Sequence, residues 1–299
     1  MTSHLSGILI LNKGDGMTSH TAVSRVRRLL GVDKAGHTGT LDPMATGVLP
    51  ILLGRGVKAS AYMTEASKHY RATLRLGMTT DTEDTTGTVL TTSDTIPPET
   101  EVQKVVSTFV GDILQTPPMY SAIKVNGKRL MELARQGQTV EREARPITIH
   151  ALTCEKLTDT DYALDVHCSK GTYIRTLCAD IGAALGCGGC MAALQRTEAA
   201  GFSLKDAHTL EELSSMTEQE LLTCIVPVEN LFPHAPVIIV KDFHSHLLRN
   251  GQALEQKKLQ VSYPADTYVR LYDNEGFFAL GTVPLSHPDC VKVLTLFRL

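Results

Sequence analysis

Gly36-His37-Thr38-Gly39-Thr40-Leu41-Asp42-Pro43-Met44-Ala45-Thr46-Gly47 is a turn-rich stretch with one carboxylate among small or neutral residues. Its glycines permit close backbone approach, and Pro43 fixes its own φ while pushing Asp42 towards an extended conformation. Composition alone fits an ordinary Gly/Pro turn whose Asp caps a helix. A loop of this kind can also hold Asp42 against a bulky ligand.

On either side the pattern is that of a sheet with helices. Gly7 to Asn12 and Val48 to Leu53 read as strands, and Thr18 or Ser19 caps a helix carrying Ala22, Val23, Val26, Leu29 and Leu30 that stops at Gly31. A helical pattern covers Val57 to Ala66. Tyr70, Ala72, Leu74 and Leu76 alternate with Arg71, Thr73 and Arg75, the signature of a half-buried strand. Pro98 opens a helix expected to run to Gly111; residues 117 to 128 are irregular, Pro-rich and basic; Leu130, Leu133 and Ala134 mark a short helix. Ile147 to Leu157 and Tyr162 to Ser169 read as strands. Thr172 is placed to cap a helix from Tyr173 to Leu185, with Arg175 in its first turn. Short helical patterns follow near 208–214 and 217–224. Four strand-like segments, Val237 to Val240, Thr267 to Tyr272, Gly276 to Val283 and Val291 to Phe297, end the chain. The expectation is an α/β or α+β fold with a domain over 1–235 and a small β-rich one over 236–299.

Residues 1–80 carry ten Lys/Arg against four Asp/Glu, and residues 120–145 six against three, within a net charge of −3. A basic face can therefore coexist with an acidic one. The seven cysteines form no disulfide framework and suit a reducing compartment. No apolar run approaches the ~20 residues of a membrane span, and Met1-Thr2-Ser3-His4 does not begin a secretory leader, so a cytoplasmic protein is expected. Cys187-Gly188-Gly189-Cys190 lacks a second pair, and Asp81, Glu83 and Asp84 lack the later positions of a calcium loop. No metal is expected, and the acidic run reads as solvated or turn-capping.

Taken in order, Gly7-Ile8-Leu9-Ile10-Leu11-Asn12-Lys13, Gly16-Met17-Thr18-Ser19, the Asp42 loop, Lys68-His69-Tyr70-Arg71 with Leu76-Gly77, Asp81-Thr82-Glu83-Asp84, Pro117-Pro118-Met119-Tyr120-Ser121-Ala122-Ile123-Lys124-Val125-Asn126-Gly127-Lys128-Arg129 and Cys168-Ser169-Lys170-Gly171-Thr172-Tyr173-Ile174-Arg175 resemble the TruB family of tRNA pseudouridine synthases. The resemblance spans most of residues 7 to 200. It implies a mixed-sheet pseudouridine synthase domain, a PUA-like C-terminal domain, and isomerisation of uridine 55 in the tRNA T loop. Asp42 is then the nucleophile, Arg175 its partner, and Tyr70 the stacking residue and a candidate for handling the C5 proton. His37, Tyr173 and Leu194 join Tyr70 as substrate contacts. Lys13, Lys58, Lys124, Lys128 and Arg129 are candidates for the RNA backbone, with Arg25, Arg28 and Lys68 behind them, and residues 117–145 form a segment that closes over RNA. Periodicity alone makes Tyr70 a core residue, in phase with Ala72 and Leu74.

The chemistry needs no cofactor, because N1–C1′ breaks and C5–C1′ forms without any external atom. Attack on C6, attack on C1′ and assisted elimination all remain open. The partner implied is the T arm of tRNA, without guide RNA and without an obligate protein partner. The alternatives are a tRNA-folding or binding protein in which catalysis is secondary and a guide-RNA-dependent synthase of the same superfamily. One residue departs from the family pattern: Gly14 stands where Pro usually follows Lys13, which is expected to loosen that turn.

Overall fold

The structure is a computed structural model that describes residues 5–125 and 127–298; Met1 to His4, Asn126 and Leu299 lie outside the described residues. A large mixed sheet runs in the order Ile225–Val226, Gly7–Lys13, Thr46–Leu53, Gly189–Ala199, Lys68–Leu76, Asp161–Cys168, Arg145–Lys156, Gly111–Gln115. The short strand Ala35–His37 pairs with Thr46–Leu53 through His37 and Ile51. Among the described residues of this sheet, one neighbouring pair is parallel, Thr46–Leu53 with Gly189–Ala199, and it brings Gly47 opposite Arg196.

Burial follows from the alternation of side chains. Leu9, Leu11, Leu49, Ile51 and Leu53 face a core closed by Ala22, Val26 and Leu30 and by Ile174, Leu177 and Ile181. Their neighbours Ile8, Ile10, Val48 and Leu52 face the other way, against Met63, Val228, Leu280 and Phe297. Covered on both faces, these strands read as continuous apolar runs.

The helix Ser19–Leu30 forms where expected: the Thr18 hydroxyl accepts from the Thr21 amide at 3.0 Å, and Gly31 ends it at φ +62°. The helix begun by Pro98 stops at Ser107, short of Gly111, which starts a strand instead. Thr172 does not cap Ile174–Ala184, since Tyr173 occupies the cap position without a side-chain bond and the Thr172 hydroxyl donates to Ser169 O. Several elements were not expected from the sequence, the longest being the strand Gly189–Ala199 at the centre of the sheet and the helix Asp242–Arg249.

A second sheet, ordered Val237–Ile239, Tyr268–Asp273, Gly276–Thr282, Cys290–Leu296, Leu254–Glu255, encloses its own core of Ile238, Leu248, Val269, Leu271, Phe278 and Val291. It is not independent of the first. Leu280 and Phe297 enter the apolar cluster beneath Gly7–Lys13, Tyr62 shares a hydroxyl bond of 2.9 Å with Thr295, and Lys58 donates to Leu296 O. No helix among the described residues is long and apolar enough to cross a membrane.

Candidate active site

A loop without regular structure must satisfy its backbone polar groups some other way. Around Asp42 three buried side chains do this. Lys13 Nζ donates to Pro43 O (3.1 Å), Ala45 O (2.6 Å) and Gly14 O (2.8 Å). The Ser19 hydroxyl accepts from Leu41 N at 2.8 Å and donates to Leu41 O at 3.0 Å. Arg196 donates from Nε to Val48 O (2.7 Å) and from a terminal nitrogen to Gly39 O (3.1 Å). Gly47 closes the loop at φ +100°, where a Cβ would stand 2.2 Å from Arg196 O. Only glycine fits there.

The loop presents Asp42 to Arg175. Arg175 Nε donates to Asp42 Oδ2 at 2.9 Å, with a longer contact of 3.4 Å from a terminal nitrogen to Oδ1. The Arg175 side chain is 6 % exposed and that of Asp42 33 %, so the cation is shut in and one edge of the carboxylate faces solvent. Arg175 is fixed from behind by Thr82 O at 3.0 Å and Tyr120 O at 2.8 Å, and Asp84 Oδ2 stands 3.9 Å from Nε. Sequence reading did not attach Thr82, Asp84 or Tyr120 to this arginine. The acidic run was the available signal. Asp84 does cap a turn, accepting from the Thr86 amide and hydroxyl and from the Thr82 hydroxyl, but it is buried and not solvated.

Tyr70 lies in register with Arg196, and Ala72 with Leu194, on the face of the sheet that bears the Asp42 loop. Burial pushes the Tyr70 phenol up, while the Arg196 guanidinium opposes that push. His37 stands on the short edge strand, its Nδ1 accepting from Gly39 N at 3.4 Å. Burial pulls its imidazole down, and Arg196 and His20 add to this, favouring the neutral ring. Tyr173 precedes Arg175's helix, and Gln115 clasps its backbone, accepting from Tyr173 N at 2.8 Å and donating to Tyr173 O at 3.0 Å. Burial raises its phenol against the opposing influence of Ser121 and Arg175. An open cleft of about 510 Å³ has Met44, Thr46, Ala72 and Leu194 in its wall. Asp42 and His37, Tyr70, Tyr173 and Arg175, and Leu194 thus come from four separate stretches of the chain to one region.

The basic candidates divide. Lys124, Lys128 and Arg129 are exposed on a small hairpin that pairs Lys124 with Arg129 and Val125 with Lys128, and Arg25 and Arg28 are exposed on the first helix. Lys13 is corrected: it is fully buried, its three donors are all spent on carbonyls, and none remains for a phosphate. The same bonds hold the turn that Gly14 was expected to loosen. Lys68 is corrected likewise, buried with its ammonium on Thr64 O and Ala66 O. Lys58 is exposed but donates to Leu296 O at 3.0 Å. Cys187 and Cys190 are buried, and burial raises both thiols, Cys190 to about 11, which keeps them protonated.

Comparison with known proteins gives the same reading as the motifs. A model described as "TruB family pseudouridylate synthase (N terminal domain)" matches residues 27–174, and "tRNA pseudouridylate synthase B C-terminal domain" matches residues 175–233. The chain is 41 % identical over 295 residues to tRNA pseudouridine synthase B of Neisseria meningitidis serogroup B, covering 98 % of this chain and 95 % of that one. It is 43 % identical over 281 residues to tRNA pseudouridine synthase B of Alkaliphilus oremlandii, covering 93 % of each. Among solved structures, a Cbf5-Nop10-Gar1 complex contains a chain similar at a TM-score of 0.72 and 26 % identity, covering 98 % of this chain and 85 % of that one. The chain belongs to the TruB family of pseudouridylate synthases.

Proposed function

We propose that this chain converts uridine to pseudouridine at position 55 of the tRNA T loop, without guide RNA, in the cytoplasm. The observation that carries this reading is the Asp42–Arg175 pair: a carboxylate gripped by a shut-in guanidinium 2.9 Å away, with its other edge open. Such a group can engage C1′ or C6 of a uridine brought against it, and the product keeps every atom of the substrate base. Tyr70 offers a planar ring to the base. Leu194 supplies an apolar wall, and His37 and Tyr173 complete the pocket. The high identity to proteins named tRNA pseudouridine synthase B over nearly the whole chain supports tRNA as the substrate.

A uridine inside the folded T arm must leave its stack, at about a few kcal/mol, which phosphate contacts offset. The hairpin at Lys124 to Arg129 suits that task. Like charges placed directly opposite on paired strands repel, and Lys124 and Arg129 form such a pair. A phosphate between them relieves the repulsion. Residues 1–235 form the catalytic domain, residues 117–145 grip the RNA, and residues 236–299 form a PUA-like domain that helps hold it.

Incubation of the purified protein with unmodified tRNA, followed by base-resolved pseudouridine mapping, tests the reading. Pseudouridine at position 55 with wild type, and none with Asp42→Asn although tRNA still binds, is the expected result. Modification elsewhere only, or turnover by Asp42→Asn, refutes it.

A further inference from the structure

Arg196 is among the largest fully buried side chains, 1 % exposed, yet among the described residues no carboxylate lies within 4.0 Å of its guanidinium. Burying a guanidinium without a counter-charge is costly, and structures retain such groups where their donors and field are used. Both are used here. The donors reach Gly39 O and Val48 O, one on each side of Asp42 in the chain, and so span the loop from below. Its backbone lies against Gly47, and across the sheet its register partner is Tyr70, with Leu194 two residues away on its own strand. Arg196 therefore touches the supports of Asp42 and Tyr70 while Arg175 grips the Asp42 carboxylate itself.

We propose that Arg196 is a positioning residue for the isomerisation, fastening the Asp42 loop to the strand opposite Tyr70 and presenting a fixed, unpaired positive charge to the face on which the base is bound. This rests on the function proposed above. The two parts of the role have different chemical requirements. Fastening needs a planar fork that reaches two carbonyls at once, which a lysine ammonium on a flexible stem does not reproduce. The fixed charge needs only a cation. Its field falls on Tyr70, on His37 and on Lys68, each of which feels Arg196 in addition to burial. His37 is the convenient reporter, because among the described residues the charged groups that act on it are Arg196 and His20, and His20 is untouched by the substitutions.

The test compares Arg196→Lys and Arg196→Met with wild type by steady-state kinetics on unmodified tRNA and by NMR titration of labelled histidines, the His37 signal being assigned with His37→Gln. In Arg196→Met, kcat per folded molecule should fall by about 100-fold, as expected when reacting groups lose alignment, while KM moves far less. His37 should titrate at higher pH than in wild type, because burial remains but the cation that added to it is gone. In Arg196→Lys the His37 titration should stay near that of wild type while kcat still falls, since the charge remains and the fork does not. A merely structural role predicts fewer folded molecules with unchanged kcat and an unmoved His37, and that result overturns the proposal. Should Arg196→Met not fold, a wild-type kcat in Arg196→Lys overturns it alone. Absence of pseudouridine with wild type is a failure of the functional reading, and the histidine titration still decides whether Arg196 sets the charge of the site.

Discussion

Asp42 and Arg175 are unequal partners. The carboxylate keeps an open edge, whereas the guanidinium is enclosed and committed to Asp42, Thr82 O and Tyr120 O. A cation enclosed in this way, 6 % exposed, is shut off from RNA by the groups it holds. Arg175→Met should therefore lower single-turnover isomerisation by about 100-fold or more, as for loss of a charge that orients a nucleophile, and leave tRNA affinity within about threefold. Rapid-quench kinetics beside a filter-binding titration measures both, and an affinity loss equal to the rate loss shows that Arg175 contacts RNA directly. The pairing was legible in the sequence only through motif resemblance, because the two residues are 133 positions apart and neither spacing nor periodicity relates them. Separation along the chain also hid Lys13 and Arg196: a lysine after the first strand reads as a surface charge until the fold bends Pro43 and Ala45 over its ammonium.

At the scale of elements, the Asp42 loop depends on the parallel junction between Thr46–Leu53 and Gly189–Ala199, where Gly47 lies flush against Arg196. Gly47→Ala places a methyl where backbone stands and forces φ +100° on an L residue. The cost should be about 2 kcal/mol or more, since neither strand can retreat without breaking its ladder. Urea unfolding measures this, and a variant of unchanged midpoint shows that the junction yields. The sequence disclosed the loop's borders but not this junction. Gly189–Ala199 carries three alanines and one β-branched residue, Thr197, with no clean alternation, so nothing local marks it as a strand. Its neighbours on both sides impose that conformation. Asp242–Arg249 escaped because it is only eight residues long, with Phe243, Leu247 and Leu248 as its apolar positions, too short a pattern to read. The Lys124–Arg129 hairpin gives a third test. Replacing Lys124, Lys128 and Arg129 by Gln should weaken tRNA binding and flatten the log–log salt dependence by up to about three units, one for each phosphate that a cation no longer neutralises. Selection of uridine 55 over neighbouring uridines should persist, because backbone contacts position RNA without reading bases. Parallel salt slopes for the two proteins place the RNA face elsewhere.

Across the whole molecule the two sheets share an apolar cluster, with Leu280 and Phe297 from one seated against Ile8, Ile10 and Val48 from the other. Loosening the smaller sheet should therefore loosen the floor of the catalytic one. The smaller sheet has a lock of its own. The Asp273 side chain is nearly enclosed and accepts from the Ser245 hydroxyl at 2.9 Å, from Arg249 and from Arg298, so that helix, strand turn and final strand meet at one carboxylate. Burial alone would raise its pKa, but the hydrogen bonds from Arg249, Ser245 and Arg298 outweigh that and bring it from 3.8 down to about 2. A carboxyl held lower in the folded than in the unfolded chain contributes stability that is complete above about pH 4 and is lost as pH falls towards 2. Asp273→Asn keeps the shape and removes the charge, leaving two guanidinium groups facing each other, and should cost about 3 kcal/mol at neutral pH. The gap between wild type and variant should then narrow steadily between pH 4 and pH 2, because protonated Asp273 resembles the amide. Chemical unfolding of both proteins across that range measures the gap directly. Other carboxyls titrate in the same window, but they do so in both proteins and cancel in the difference. A gap that stays constant down to pH 2 would show that the lock is held by packing and not by charge.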